Sequence, residues 1–264
     1  MGVWLGPVWA NGEGKEPLFT VTKNGSPAVL GTDYLYTHST VNGTEQWEMA
    51  LLTDCVVKFA RVGKVDISVI GAGNDGCKGT VAYVVGVGSK TAGGDGGRGG
   101  DILRVTNVEL PRNTDLSATI GQSNGDATSF ESYSSSSPSA VPGSSGGDGA
   151  YANGIQTAAP GGDGDDGSLP FSTGTSMLFP GVKFSPGGAG GGTKNGDFVS
   201  KGAGAGGVDG GGNGGTEDGV HTGANGAANR GAGAGGGFTS ADPELPYDGG
   251  TGGSGNVLVR DHRG

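Results

Sequence analysis

No stretch of this chain approaches the ~18 consecutive apolar residues that a membrane-spanning helix needs, so no such helix is expected. The opening Met1-Gly2-Val3-Trp4-Leu5-Gly6-Pro7 has neither a basic leader nor a long apolar core, and it does not read as a signal peptide. Basic residues are scarce. Sixteen Lys and Arg stand against 26 Asp and Glu, a formal net charge of −10. Phosphate backbones and anionic membranes demand a positive footprint, so nucleic-acid binding and membrane insertion are both disfavoured. Only Cys55 and Cys77 are present, too few for a disulfide-stapled framework. Whether they pair stays open, with idle or buried thiols the preferred reading. Aromatic residues make up 6% of the chain and the hydrophobic class 33%, which is thin for a large side-chain core.

Glycine is abundant instead. There are 62 in 264 residues, roughly three times ordinary usage. Each one loses much backbone freedom on folding, so the Gly-rich part is either a loose linker or a place where backbones pack too closely for side chains. Spacing favours the second. Gly93, Gly96 and Gly99 fall three apart beside Gly94, Gly97 and Gly100, and Gly187/Gly190 and Gly211/Gly214 repeat the interval. A polyproline-II-type helix has three residues per turn, so this spacing lines glycine along one edge. Such helices lack internal hydrogen bonds, and packed side by side they would bond to one another. Collagen is excluded, because the third-position rule breaks within about a dozen residues and only 12 prolines are present.

Three regions are expected. Residues 1–45 hold short extended pieces, Leu18–Thr22 and Tyr34–Thr37, split by turn pairs such as Asn24-Gly25, and this region is read as a docking segment. Residues 46–135 carry the clearest strands. Val65-Asp66-Ile67-Ser68-Val69 and Leu116-Ser117-Ala118-Thr119-Ile120 alternate apolar and polar residues with period 2. Between Glu45 and Phe59, Trp47, Leu51, Cys55 and Phe59 recur at helical spacing, but Thr53, Val56 and Val57 favour an extended reading. Residues 136–264 are glycine-rich and close on a strand over 256–260 that is expected to return to the middle sheet. The fold class is therefore mainly β: an antiparallel sheet or sandwich plus a glycine-rich layer of polyproline-II-like (polyglycine II) helices, with little or no α-helix.

Several motifs suggest chemistry without supporting it. Gly71-Ala72-Gly73-Asn74-Asp75-Gly76 follows a strand and matches the dinucleotide fingerprint, yet no helix can be drawn after it to hold a pyrophosphate. Gly121-Gln122-Ser123-Asn124-Gly125 matches a nucleophile elbow but runs into a turn. Asp163, Asp165 and Asp166 resemble one copy of a calcium-binding nonapeptide that normally works in tandem, so a solvated acidic loop is the preferred reading and a Ca²⁺ site stays open. His38, His221 and His262 form no metal-ligand pattern. No catalytic, cofactor-binding or metal-ligating residues are assigned, and the chain is read as a non-enzyme. The candidates for recognition are aromatic: Tyr133, Tyr151, Phe171, Phe179, Phe238 and Tyr247, which can stack on sugars or fill partner pockets. Trp4 and Trp9 are candidates for docking.

The order Trp47–Leu52, Val57–Phe59, Val65–Gly73, the Gly93–Gly100 block, Leu116–Gly121, Thr128-Ser129-Phe130 and the ending Gly252–Arg260 resembles glycine-rich tail-fibre proteins of phages and prophages of gut bacteria. The glycine-rich half is more loosely similar to the polyglycine-helix adhesins at the tips of T-even-type long tail fibres. This chain departs from the first family in its more interrupted Gly blocks and its many Asp residues. The resemblance implies a virion protein that docks on other tail proteins through its N-terminal region and presents loops to a host polysaccharide or surface protein. Several copies per particle, as a homo-oligomer, would add avidity. A purely architectural virion role, in a baseplate, tail or capsid decoration, is the alternative.

Overall fold

The computed structural model describes residues 18–263, apart from 61–62, 85–87, 154–156, 196–198 and 242–243. Trp4 and Trp9 lie outside the described residues. Along the chain run β1 (Phe19–Lys23), β2 (Ser26–Pro27), β3 (Tyr34–Val41), β4 (Thr44–Leu51), β5 (Cys55–Phe59) and β6 (Lys64–Ile70). They are followed by β7 (Thr80–Val84), β8 (Gly88–Ala92), β9 (Ile102–Glu109), β10 (Asp115–Thr119), β11 (Ser129–Phe130) and β12 (Tyr133–Ser134). The remainder are β13 (Tyr151–Asn153), β14 (Thr157–Ala159), β15 (Thr193–Asn195), β16 (Val199–Lys201), β17 (Thr239–Ala241), β18 (Glu244–Pro246) and β19 (Asn256–Asp261). No helix occurs among the described residues, so the chain is mainly β as its sequence predicts.

Two sheets form a sandwich at one end. One has the order β12-β11-β10-β5-β1-β2 and the other β3-β4-β19-β6-β9. Between them lies the main core, with Phe19, Val57 and Phe59 from the first sheet against Met49, Leu51, Val65, Ile67, Val69, Val257 and Val259 from the second. The period-2 alternation puts those residues on one face of each strand. Full burial of side chains this size contributes about 1.5–3 kcal/mol each. Asn24-Gly25 and Asn42-Gly43 both take positive φ at both positions, as the tight hairpin turns after β1 and β3 require.

No boundary falls near residue 45. β3 and β4 pair across it in continuous register from Tyr34↔Leu51 to Val41↔Thr44. Residues 19–41 are thus part of the sandwich rather than a separate docking segment; the eight-pair hairpin outweighs the change in sequence texture. The stretch from Trp47 to Phe59 is extended, as β4 and β5. β19 is the central strand of its sheet, paired to β4 on one side and β6 on the other.

The opposite face of that five-stranded sheet is covered by the loop between Ser168 and Phe184. Phe171 and Phe184 pack with Ala50, Ile70, Ile102 and Leu258, flanked by Leu178, Phe179 and Val182. Polar anchors hold the loop down. Glu48, fully buried, accepts hydrogen bonds from Ser176 Oγ and from the Met177 N–H, the latter at 2.7 Å. Arg260 lies 3.9 Å over the Phe171 ring and donates to the Thr173 carbonyl at 2.5 Å, while pairing with Asp66 at 3.2 Å.

Beyond the sandwich the chain runs back and forth in ten glycine-rich passes, namely 71–79, 93–101, 142–150, 160–167, 185–192, 202–207, 211–215, 222–227, 231–238 and 247–255. Hydrogen bonds between any two neighbours recur every third residue. Gly93, Gly96 and Gly99 donate to Ala150, Gly147 and Ser144, and Gly94, Gly97 and Gly100 to Gly237, Ala234 and Gly231. Traced through these bonds, the passes fall into rows of three, four and three: first-second-third, tenth-ninth-fifth-fourth and eighth-seventh-sixth. The fifth and ninth passes each bond to six neighbours. Three residues per repeat is the period of a polyproline-II-type helix, which turns a bonding group toward a new neighbour at each residue. Backbone groups that burial would orphan are satisfied by the adjacent pass.

At the margins of this lattice the acidic residues have a structural role. Asp75, Asp95, Asp101, Asp163 and Asp166 accept hydrogen bonds from the N–H groups of Gly252, Gly149, Gly143, Ala205 and Val208 on neighbouring passes, at 2.7–3.1 Å. The frequent Asp therefore extends the lattice bonding where a carbonyl is not in place. Asp166 also meets Lys183 at 3.0 Å. The Val208 N–H and the Lys183 bond hold its carboxyl below the usual range. The Lys23 hydrogen bond, with the Val29 N–H, does the same for Asp33. At Asp66 burial works upward, but hydrogen bonds from His262, the Asn107 N–H and Arg260 outweigh it and the net shift is down. Carboxylates depressed in this way stabilise the fold fully above their unfolded pKa of about 3.9 and lose that contribution as pH falls through the folded value. Urea unfolding midpoints should therefore fall between about pH 5 and pH 2.5; an unchanged midpoint over that window would show that these bonds do not matter to stability.

Both cysteines are free thiols, Cys55 in the sandwich core and Cys77 exposed on the first pass. Burial pushes the Cys55 thiol up to about 12. Under native conditions at about pH 8, iodoacetamide should label Cys77 and spare Cys55, as peptide mass mapping would show.

Candidate recognition surface at the hairpin end

The passes alternate in direction, so their turns fall at two ends. At the end away from the sandwich, four of the connections are β-hairpins: β7–β8, β13–β14, β15–β16 and β17–β18. They pair further into two four-stranded sheets, β14-β13-β8-β7 and β16-β15-β17-β18, with β15 and β17 parallel. Buried threonines join them. Thr193 and Thr239 are fully buried, and Thr239 Oγ1 donates to the Ala92 carbonyl at 2.8 Å. The hairpins are thus mounted on the lattice as a paired unit.

Beside them the loop 216–221 joins the seventh and eighth passes. The His221 ring sits 4.6 Å from Tyr247 and 5.8 Å from Phe238, and its Nδ1 is 2.9 Å from the Thr216 carbonyl. Lys194 on β15 meets Glu217 of the loop at 2.6 Å. These contacts hold the loop against the hairpins and leave Val220 71% exposed. Leu245 (41%) and Tyr151 (39%) are the other large apolar side chains exposed at this end.

The six aromatic candidates divide by position. Tyr151 and Tyr247 lie at the hairpin end, Tyr151 exposed and Tyr247 half-buried. Phe238 is also there, but at 3% exposure its ring supports His221 and Tyr247 rather than a ligand. The others lie at the sandwich. Phe171 is 5% exposed and taken up by Arg260. Phe179 packs edge-on to Phe184, with Arg230 over its ring at 5.5 Å. Tyr133 on β12 packs against the main core. Phe171 and Phe238 have too little free surface to serve as contact residues. Val220, His221 and Leu245 were not singled out by sequence; the only cue is a bulky residue directly after the turn pair Asp218-Gly219.

The strand-then-glycine motif at Gly71–Gly76 opens the first pass, with Gly73 and Gly76 bonded to Gly253 and Gly250, and no helix follows. Ser123 sits in a turn where Asn124 and Gly125 have positive φ and the Asp126 N–H bonds back to its carbonyl at 3.0 Å. Among the described residues no three His, Cys, Asp or Glu side chains group as metal ligands would. Asp163 and Asp166 are engaged across the lattice as described above. No family model, curated protein or solved structure matches this chain.

Proposed function

We propose that this protein is a phage tail-fibre or tail-tip structural protein in the virion, and that its hairpin end presents loops for attachment to a host cell surface. The observation that carries the reading is the polarity of the molecule. A side-chain sandwich occupies one end, paired hairpins the other, and a backbone-bonded lattice separates them. Read as polyproline-II-type helices at about 3.1 Å per residue, the nine-residue passes hold the two ends about 28 Å apart. Loops on a rigid scaffold are where binding groups concentrate. The likeness of the sequence to glycine-rich tail-fibre proteins points the same way, and the negative charge disfavours a nucleic-acid partner.

A purely architectural virion role is the second reading. It is favoured by the burial of Phe171 and Phe238, which turns two candidate contact rings into packing. Fluorescently labelled protein on a panel of gut-bacterial cells separates the two. Retention on some strains, reduced at least about tenfold by Val220→Asp or Leu245→Asp with an unchanged melt, is the expected result. An architectural part would be retained by none.

A further inference from the structure

Among the four edges of the two sandwich sheets, one is open. β2 and β12 are only two residues long. β9 is longer but interrupted. Its register shifts between Val65 and Ile67 of β6, Asn107 has a positive φ, Ile102 bridges to Val141, and Arg104 reaches the Leu169 carbonyl. Short edges, bulges and covering contacts are how sheets avoid unwanted pairing. β3 has none of these. It runs eight residues, Tyr34-Leu35-Tyr36-Thr37-His38-Ser39-Thr40-Val41, without a charge, a proline or a break in register. No strand lies on its outer side among the described residues.

The direction of its backbone groups follows from the turn below it. The Leu52 N–H bonds the Asp33 carbonyl at 2.9 Å. In an antiparallel ladder the bonded pairs alternate, so Leu35, Thr37, Ser39 and Val41 face β4, while Tyr34, Tyr36, His38 and Thr40 face outward. The Tyr34 carbonyl is taken by the Gly31 N–H at 2.8 Å. Tyr36, His38 and Thr40 are left with outward-pointing N–H and C=O groups.

We infer that β3 is the contact edge for a second copy of this chain, joined antiparallel across a two-fold axis near His38. That operation sets Tyr36 of each copy opposite Thr40 of the other, both outward-bonding positions. Even-numbered side chains then meet even-numbered ones, so the core faces of the two sheets lie on the same side. An uncharged edge is self-compatible even though the chain carries a net −10, because no like charges meet across the axis. The outer half of the β3–β4 hairpin, from His38↔Trp47 to Val41↔Thr44, lies beyond the last β4–β19 pair at Glu48↔Arg260. This overhang is at the end of the sandwich away from the lattice, so joining two copies there leaves both hairpin ends free. A contact of this size is weak, of about micromolar strength. The inference does not depend on host attachment.

Sedimentation of the full chain from about 1 to 200 µM tests it. The weight-average mass should rise with concentration from 25.7 kDa toward twice that value. Thr40→Pro removes an outward N–H without touching the bonds to β4, and Ser39→Lys brings like charges together near the axis. Each should weaken association at least about tenfold with an unchanged thermal melt. If Thr40→Pro disturbs the hairpin, Ser39→Lys carries the test. A monomer at every concentration overturns the inference, as does association that both variants leave intact. Loss on Trp4→Ser or Trp9→Ser instead, with the β3 variants unaffected, would assign the contact to the first 17 residues and also overturn it.

Discussion

Replacing Gly188 with Ala should destabilise the protein by about 3 kcal/mol or more, whereas Gly202→Ala should be close to neutral. A Cβ on Gly188 would lie 1.9 Å from the Ala234 carbonyl oxygen and 2.3 Å from its carbon, on the ninth pass. Both atoms are backbone, and the ninth pass is itself bonded to six neighbours, so neither side can yield locally. Overpacking of this kind usually costs about 1–3 kcal/mol, and more where the surroundings cannot relax. At Gly202 an added Cβ meets nothing within 4 Å and the φ is ordinary. Denaturant titrations followed by far-ultraviolet dichroism compare the two. Equal stability of Gly188→Ala and Gly202→Ala would mean that the passes are not packed backbone to backbone.

The second large effect is expected at Arg260. It and Asp66 are each 1% exposed. Arg260→Met keeps the length of the side chain but leaves a buried carboxylate with only the His262 ring at 2.7 Å and the Asn107 N–H at 3.2 Å. Breaking one side of a buried pair costs about 3–5 kcal/mol. The same change frees the carbonyls of Thr173 and Thr175 and uncovers Phe171, so hydrogen exchange over residues 169–183 should accelerate selectively. Adding Asp66→Asn should recover part of the loss, since the uncompensated charge is removed. If Arg260→Met melts with the wild type, the loop is held by its apolar contacts alone.

How much of this was legible depends on the range of the interaction. Val65–Val69 and Leu116–Thr119 are strands whose alternation could be read directly, because burial of one sheet face imposes period 2. The three-residue glycine interval was legible too, and hydrogen bonds recur at that interval. The burial of Phe171 was not, since its partner Arg260 is remote in sequence and looks like a solvated charge near the end of the chain. The same holds for Asp163 and Asp166. Clustered acids read as a loop or a cation site, and only the neighbouring pass reveals N–H groups that need them. The strand pair across residue 45 was missed because glycine turns at 31–33 and 42–43 suggested small independent hairpins. At the hairpin end, Val220 and Leu245 gain their prominence from geometry that no local pattern encodes.

The central position of β19 sets the timing of folding. Its two neighbours, β4 and β6, emerge from the ribosome some 190 residues earlier, and until β19 arrives the sheet has a gap where its middle strand belongs. Nor can the last pass close the lattice beforehand. Assembly of the sandwich is thus deferred to the end of synthesis. Nascent chains stalled before residue 256 should be protease-sensitive throughout, a vulnerability that full-length release removes in one step.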